Sequence, residues 1–166
     1  MKTFFSRLLE ESPGEEAACI LGWLLNDDKF NGSIWDKASK TEFTSRIRSL
    51  EGFGDSKWFS KKSKSVGYPT SASQFGGNLR PYALFSSGSS LGQDFVRHIR
   101  NGVAHGHVRC LTNGNTNYIE LTDWGSKGQS AFVLMPLSYI KDIFLIYRQM
   151  DSELSVKKAP RKGNVK

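Results

Sequence analysis

Apolar residues recur at helical spacing in five stretches of the chain. Phe4, Phe5, Leu8 and Leu9 predict a short amphipathic helix over residues 1–11. Ser12-Pro13 supplies an N-cap and a first-turn proline, with Glu15 and Glu16 placed to complement the helix dipole. The helix that follows carries Ala17, Ile20, Leu21, Leu24 and Leu25 and stops near Asn26-Asp27-Asp28. A third helix, Ile34 to Leu50, is predicted from Ile34, Trp35, Ala38, Phe43, Ile47 and Leu50, between the turn Asn31-Gly32-Ser33 and the breaker Gly52-Phe53-Gly54. A fourth opens near Ser89 or Ser90 and contains Gln93 to Ile99. The fifth, Leu137 to Met150, turns Ile140, Ile143, Phe144 and Tyr147 inward.

Elsewhere the period changes or vanishes. Val108 to Thr112 and Tyr118 to Thr122 alternate apolar and polar residues around Asn113-Gly114-Asn115-Thr116-Asn117, the pattern of a β-hairpin, and Ala131 to Met135 can add a third strand. Residues 52–90 show no period and read as a long basic, flexible loop, with Ser71 to Gly77 and Ser86 to Gly92 as joints. The expected fold is therefore mainly α: one helical-bundle domain over residues 1–150, a small β-hairpin inserted before the last helix, and a disordered basic tail over 151–166.

Composition narrows the function classes. With 38% hydrophobic and 23% charged residues in 166, the chain can build a core without staples. Cys19 and Cys110 lack the paired spacing of a zinc site, so a reduced, cytoplasmic setting is expected and no metal or other cofactor is assigned. Arg7 and Glu10 interrupt any secretory h-region, and Pro136 and Lys141-Asp142 break the longest apolar run, so no membrane segment is expected. The net charge of +7 favours a polyanionic partner. Part of it lies in Lys57, Lys61, Lys62 and Lys64, which interleave with Trp58 and Phe59 in the combination that holds single-stranded RNA by charge and stacking. The plainer alternative is a loop whose aromatics anchor it to the core. Lys37, Lys40, Arg46 and Arg48 on the third helix read as a solvated face.

The chemistry is concentrated in Arg100-Asn101-Gly102-Val103-Ala104-His105-Gly106. A permanently charged phosphate-binding group stands five residues before an imidazole, whose ordinary pKa of about 6.5 allows it to act as acid or base. On a helical projection Phe95, Val96, Ile99 and Val103 form an apolar stripe, and Asp94, His98, Asn101 and His105 form a polar one opposite. Asn101 can orient His105, its neighbour at i+4. Arg97, His98 and His107 are further candidates for contact with RNA, each of the two histidines having a structural alternative.

This stretch resembles the Arg-Asn-x-x-x-His signature of HEPN domains, small helical proteins many of which are metal-independent ribonucleases. The resemblance covers about Asp94 to Val108. It implies a HEPN-like bundle and a catalytic set of Arg100, Asn101 and His105. It also implies cleavage by the RNA 2′-hydroxyl to a 2′,3′-cyclic phosphate and a 5′-hydroxyl, in a toxin or phage-defence (abortive-infection) setting with a possible antitoxin or defence-system partner. Arg100 and His105 lie about 140° apart on an ideal helix. They converge only if the long Arg side chain bends round, the backbone deviates at Gly102 or the partner groups come from another subunit. One imidazole also serves poorly as both acid and base, and a homodimer with a composite site is expected. His107 stands where one HEPN subgroup carries a tyrosine modified by a partner, which argues against that regulation. The alternative is a non-catalytic HEPN-like module that binds RNA or a nucleotide.

Overall fold

The computed structural model describes residues 35–50, 59–61, 67–77, 79–88 and 90–158, together with Gly22. The expected helix over 1–11, the second helix apart from Gly22, and Lys57, Trp58, Lys62 and Lys64 lie outside the described residues, as do 159–166. The described elements are α1 (Lys37–Arg48), β1 (Phe59–Lys61), a 3-10 helix (Ala72–Phe75), β2 (Tyr82–Phe85), α2 (Leu91–Ala104), β3 (Val108–Asn113), β4 (Thr116–Gly125), β5 (Gly128–Pro136) and α3 (Leu137–Lys158).

The mainly α expectation is overturned. A five-stranded sheet in the order β1-β2-β5-β4-β3 forms the centre, antiparallel except for the parallel pair β1 and β2. The fold is α+β, and the HEPN-like bundle with a minor hairpin is not what the chain builds. The reason is burial on both sheet faces. Ala131 to Met135 are all buried in β5, and Ala83 to Phe85 in β2, so neither strand shows the alternation that marks a half-exposed one.

Strand parity divides these residues between two cores. Ala83, Phe85, Ile119, Leu121, Ala131, Val133 and Met135 face the helices. They meet Phe43 and Ile47 of α1, Phe95, Val96, Ile99 and Val103 of α2, and Ile140, Ile143, Phe144, Tyr147 and Met150 of α3. Trp35, just before α1, stacks on Tyr147 with centroids 5.0 Å apart and meets Phe43 edge-on at 5.2 Å. Tyr118, Phe132 and Leu134 face the other way, under a cover made by Tyr68, Ala72, Phe75, Leu79 and Tyr82.

That cover replaces the flexible joint expected over Ser71 to Gly77. Ser71 caps the 3-10 helix, Phe75 stacks on Phe132 at 5.9 Å, Tyr68 Oη donates to the Ser130 carbonyl at 2.8 Å, and Tyr118 Oη donates to the Leu79 carbonyl at 3.0 Å. On the same face the buried Glu120 accepts from the Ala72 backbone N–H, and Arg109 donates to it at 2.6 and 2.9 Å.

Helix boundaries follow local signals. Asp36 caps α1, its Oδ1 accepting from Ser39 N at 2.8 Å, so the helix begins three residues after the expected Ile34. α3 passes Asp151, where the disordered tail was expected to start, and continues to Lys158. No Gly or Pro stands between Met150 and Lys158, and Pro160 comes just beyond.

α2 lies close on β4 because Gly102 has no side chain. A Cβ there would sit 2.5 Å from Leu121 Cγ, a branch point that cannot swing aside. Gly102→Ala is expected to lower stability by about 1–3 kcal/mol despite the better helix propensity of alanine. Urea denaturation measures this; a stabilised variant would mean that the two elements do not pack as described.

Candidate functional site

The signature stretch is the end of α2 and the turn after it. His107 N donates to the Gly102 carbonyl at 2.8 Å and Gly106 N to that of Val103 at 3.1 Å, with Gly106 at φ 72°, which is a Schellman termination. His105 is the C-cap. The His-Gly half of the motif thus has a backbone reason: glycine tolerates the left-handed conformation that the residue after the cap adopts. Gly106→Ala is expected to cost about 1 kcal/mol, by the left-handed penalty on an L-residue, read as a fall in melting temperature.

The turn brings two side chains together. His105 and His107 are both exposed, with ring centroids 6.2 Å apart and planes inclined at 36°. Arg100 is half-buried, five positions before His105.

The polar stripe of α2 does not form an open face. His98 is 1% exposed, so the expectation that it contacts RNA is corrected. Its Nδ1 donates to Asp123 Oδ2 at 2.6 Å and its Nε2 to the Ser86 carbonyl at 2.8 Å. Asp123 Oδ2 also accepts from Ser130 Oγ at 3.1 Å and Asn101 Nδ2 at 3.3 Å. Asn101 therefore turns its amide nitrogen toward Asp123. Burial pushes the Asp123 carboxyl up, but the bonds from His98, Asn101 and Ser130 outweigh it and hold the pKa below the usual carboxylate value.

Asp94, also buried, fixes the preceding loop. Its Oδ2 accepts from Ser87 Oγ and Gly88 N, both at 2.9 Å, and its Oδ1 from the half-exposed Arg97 at 3.1 Å. Arg97 thus keeps one side open to solvent while anchored on the other.

Ser86 Oγ lies 3.3 Å from His98 Nε2, which with Asp123 gives the residue types of a nucleophilic triad. The proton count speaks against that role. A carbonyl can only accept, so the 2.8 Å contact with the Ser86 carbonyl places a hydrogen on Nε2 and leaves no lone pair to take the serine proton. Ser86, His98 and Asp123 form a clamp that ties the end of β2 and the end of β4 to α2.

Asp123, Ser86 and Ser130 were not singled out from the sequence. Asp123 did carry a signal: it follows Ile119 and Leu121 in the helix-facing phase of β4, where a carboxylate requires a buried partner. Lys61 lies in the edge strand β1. Among the described residues no three His, Cys, Asp or Glu side chains are grouped to hold a metal ion, and no helix is long and apolar enough to cross a membrane. Compared with known proteins, the chain matches no protein-family model, no curated protein and no solved structure.

Proposed function

We propose that the protein is a metal-independent endoribonuclease whose proton-transfer groups are His105 and His107. The observation that carries this is the exposed imidazole pair at 6.2 Å, on the turn that ends the signature. Cleavage of RNA by its own 2′-hydroxyl needs one group to take the O2′ proton as the O2′–P bond forms. A second must give a proton to O5′ as the P–O5′ bond breaks. Two imidazoles at this separation leave room for a phosphate between them, each within hydrogen-bond reach of a different oxygen. Arg100 offers forked donors to the phosphoryl oxygens.

The second imidazole then comes from the same chain, so the proton count no longer requires the homodimer expected for a lone His105. The scaffold differs from the HEPN bundle, and the resemblance supports the chemistry of the Arg100 to His105 stretch alone. Cytoplasmic RNA is the proposed substrate. A toxin or phage-defence setting, with or without an antitoxin, rests on the resemblance; arrest of host growth by the wild type and not by His105→Ala is its expected sign.

End-group analysis tests the reaction. RNA incubated with the full chain in EDTA is expected to yield 2′,3′-cyclic phosphate and 5′-hydroxyl ends. Products bearing 5′-phosphates would assign a different mechanism. The departure from the bundle fold favours one second reading, an RNA-binding module without turnover. Folded protein that binds RNA and leaves it intact would establish that instead.

A further inference from the structure

The face of α1 that reads as merely solvated in the sequence divides in two. Arg46 is neutralised: it donates to Glu42 at 2.6 Å and to Glu153 of α3 at 3.2 Å. Lys37, Lys40 and Arg48 instead line a groove of about 600 Å³ between α1 and the start of α2. Among the described residues no carboxylate lies within ion-pair distance of these three. The hydroxyls of Thr41, Thr44, Ser45 and Ser90 share the lining. Ser90, the N-cap of α2, makes no side-chain cap bond, and its hydroxyl lies 3.5 Å from the Lys40 carbonyl. The positive end of the α2 dipole therefore stands at the same groove as the three cations.

We infer that this groove binds the sugar–phosphate backbone of RNA. Charge complementarity selects an anion, and shape selects a polymeric one. Lys37 to Arg48 extend over about 16 Å of helix axis at 1.5 Å per residue, more than a single phosphate can engage. Hydroxyls between the cations suit the phosphate and ribose oxygens that separate successive charges. The groove opens at the first turn of α2 and the imidazole pair lies past its last, so binding here is separable from cleavage there.

The test uses the full chain and a fluorescent 2′-O-methyl RNA oligonucleotide, which lacks the attacking hydroxyl and reports binding alone. The variant Lys40→Gln/Arg48→Gln is expected to weaken binding. It should also flatten the slope of log affinity against log salt by about 1.4, two contacts at about 0.7 each for a single strand. Arg46→Gln, which removes a cation already paired, should leave the slope unchanged. Equal affinity and slope for Lys40→Gln/Arg48→Gln and the wild type would overturn the proposal. Displacement of the oligonucleotide by ATP at equal phosphate concentration would overturn it too, assigning the groove to a mononucleotide. Cleavage of unmodified RNA at saturating concentration should survive in the variant. Loss of binding and presence of cutting are thus read separately.

Discussion

Asp123→Ala is expected to destabilise the protein by about 1–3 kcal/mol at neutral pH, the cost of leaving buried hydrogen-bond donors without their acceptor. Asp123 is 3% exposed, and one of its carboxylate oxygens accepts from His98, Ser130 and Asn101 together. Alanine would leave His98 Nδ1 donating to nothing in a site closed to water, and would free the end of β4 from α2. Asn101 and Ser130 would lose the same acceptor. Asp123→Asn retains an acceptor and should cost less.

The dependence on pH follows from the lowered pKa of Asp123. Its folded value lies below the unfolded one, so the carboxylate stabilises the protein fully above the ordinary Asp value of about 3.9. The contribution is lost as the pH falls through the folded value. Urea denaturation of wild type and Asp123→Ala at neutral pH should show the full gap, which narrows on acidification below about pH 4. A difference under about 0.5 kcal/mol at pH 7, the range of ordinary surface changes, would contradict the clamp.

His105→Ala should act on rate alone. General acid or base catalysis contributes about 10²–10⁴-fold, so His105→Ala and His107→Ala are each expected to slow RNA cleavage by that order. Both side chains are exposed, and neither is bonded into the clamp. Their melting temperatures should stay near that of the wild type. His98→Ala should instead lower the melting temperature first, and any lost activity would follow lost structure. Slowing by His98→Ala at unchanged stability, with full activity in the His105 and His107 variants, would move the chemistry into the buried network.

Much of α2 was legible in the sequence. Phe95, Val96, Ile99 and Val103 do face the core, and Ser90 does open the helix. The long sheet was less so. β4 and β5 extend the expected hairpin to Gly125 and back from Gly128, with a bulge at Asp123 and Trp124 that interrupts the alternation. β2 is four residues long and lies between Pro81 and Ser86-Ser87-Gly88, so its surroundings look like loop. Its strand character comes from pairing with β5, a contact across nearly fifty residues that no local pattern encodes.

The candidate site was legible in part for a related reason. Helical projection puts Asp94, His98 and Asn101 on one stripe, yet it cannot tell an open stripe from one covered by another element. Here the 86–88 loop and the end of β4 cover it. The partnership of His105 with His107 depends on the reversal at Gly106, which brings residues on either side of a helix end together. The sequence placed both histidines near the signature and left the turn between them unread.

The most direct measurement compares the initial rate of RNA cleavage in EDTA by the wild type and by His105→Ala/His107→Ala, each shown by melting to be folded. The wild type is expected to cut and the double variant to lose cutting about as completely as the weaker single variant, since the two imidazoles act as a unit. Equal rates for the two proteins, or intact RNA with folded wild type, would contradict a ribonuclease centred on this pair.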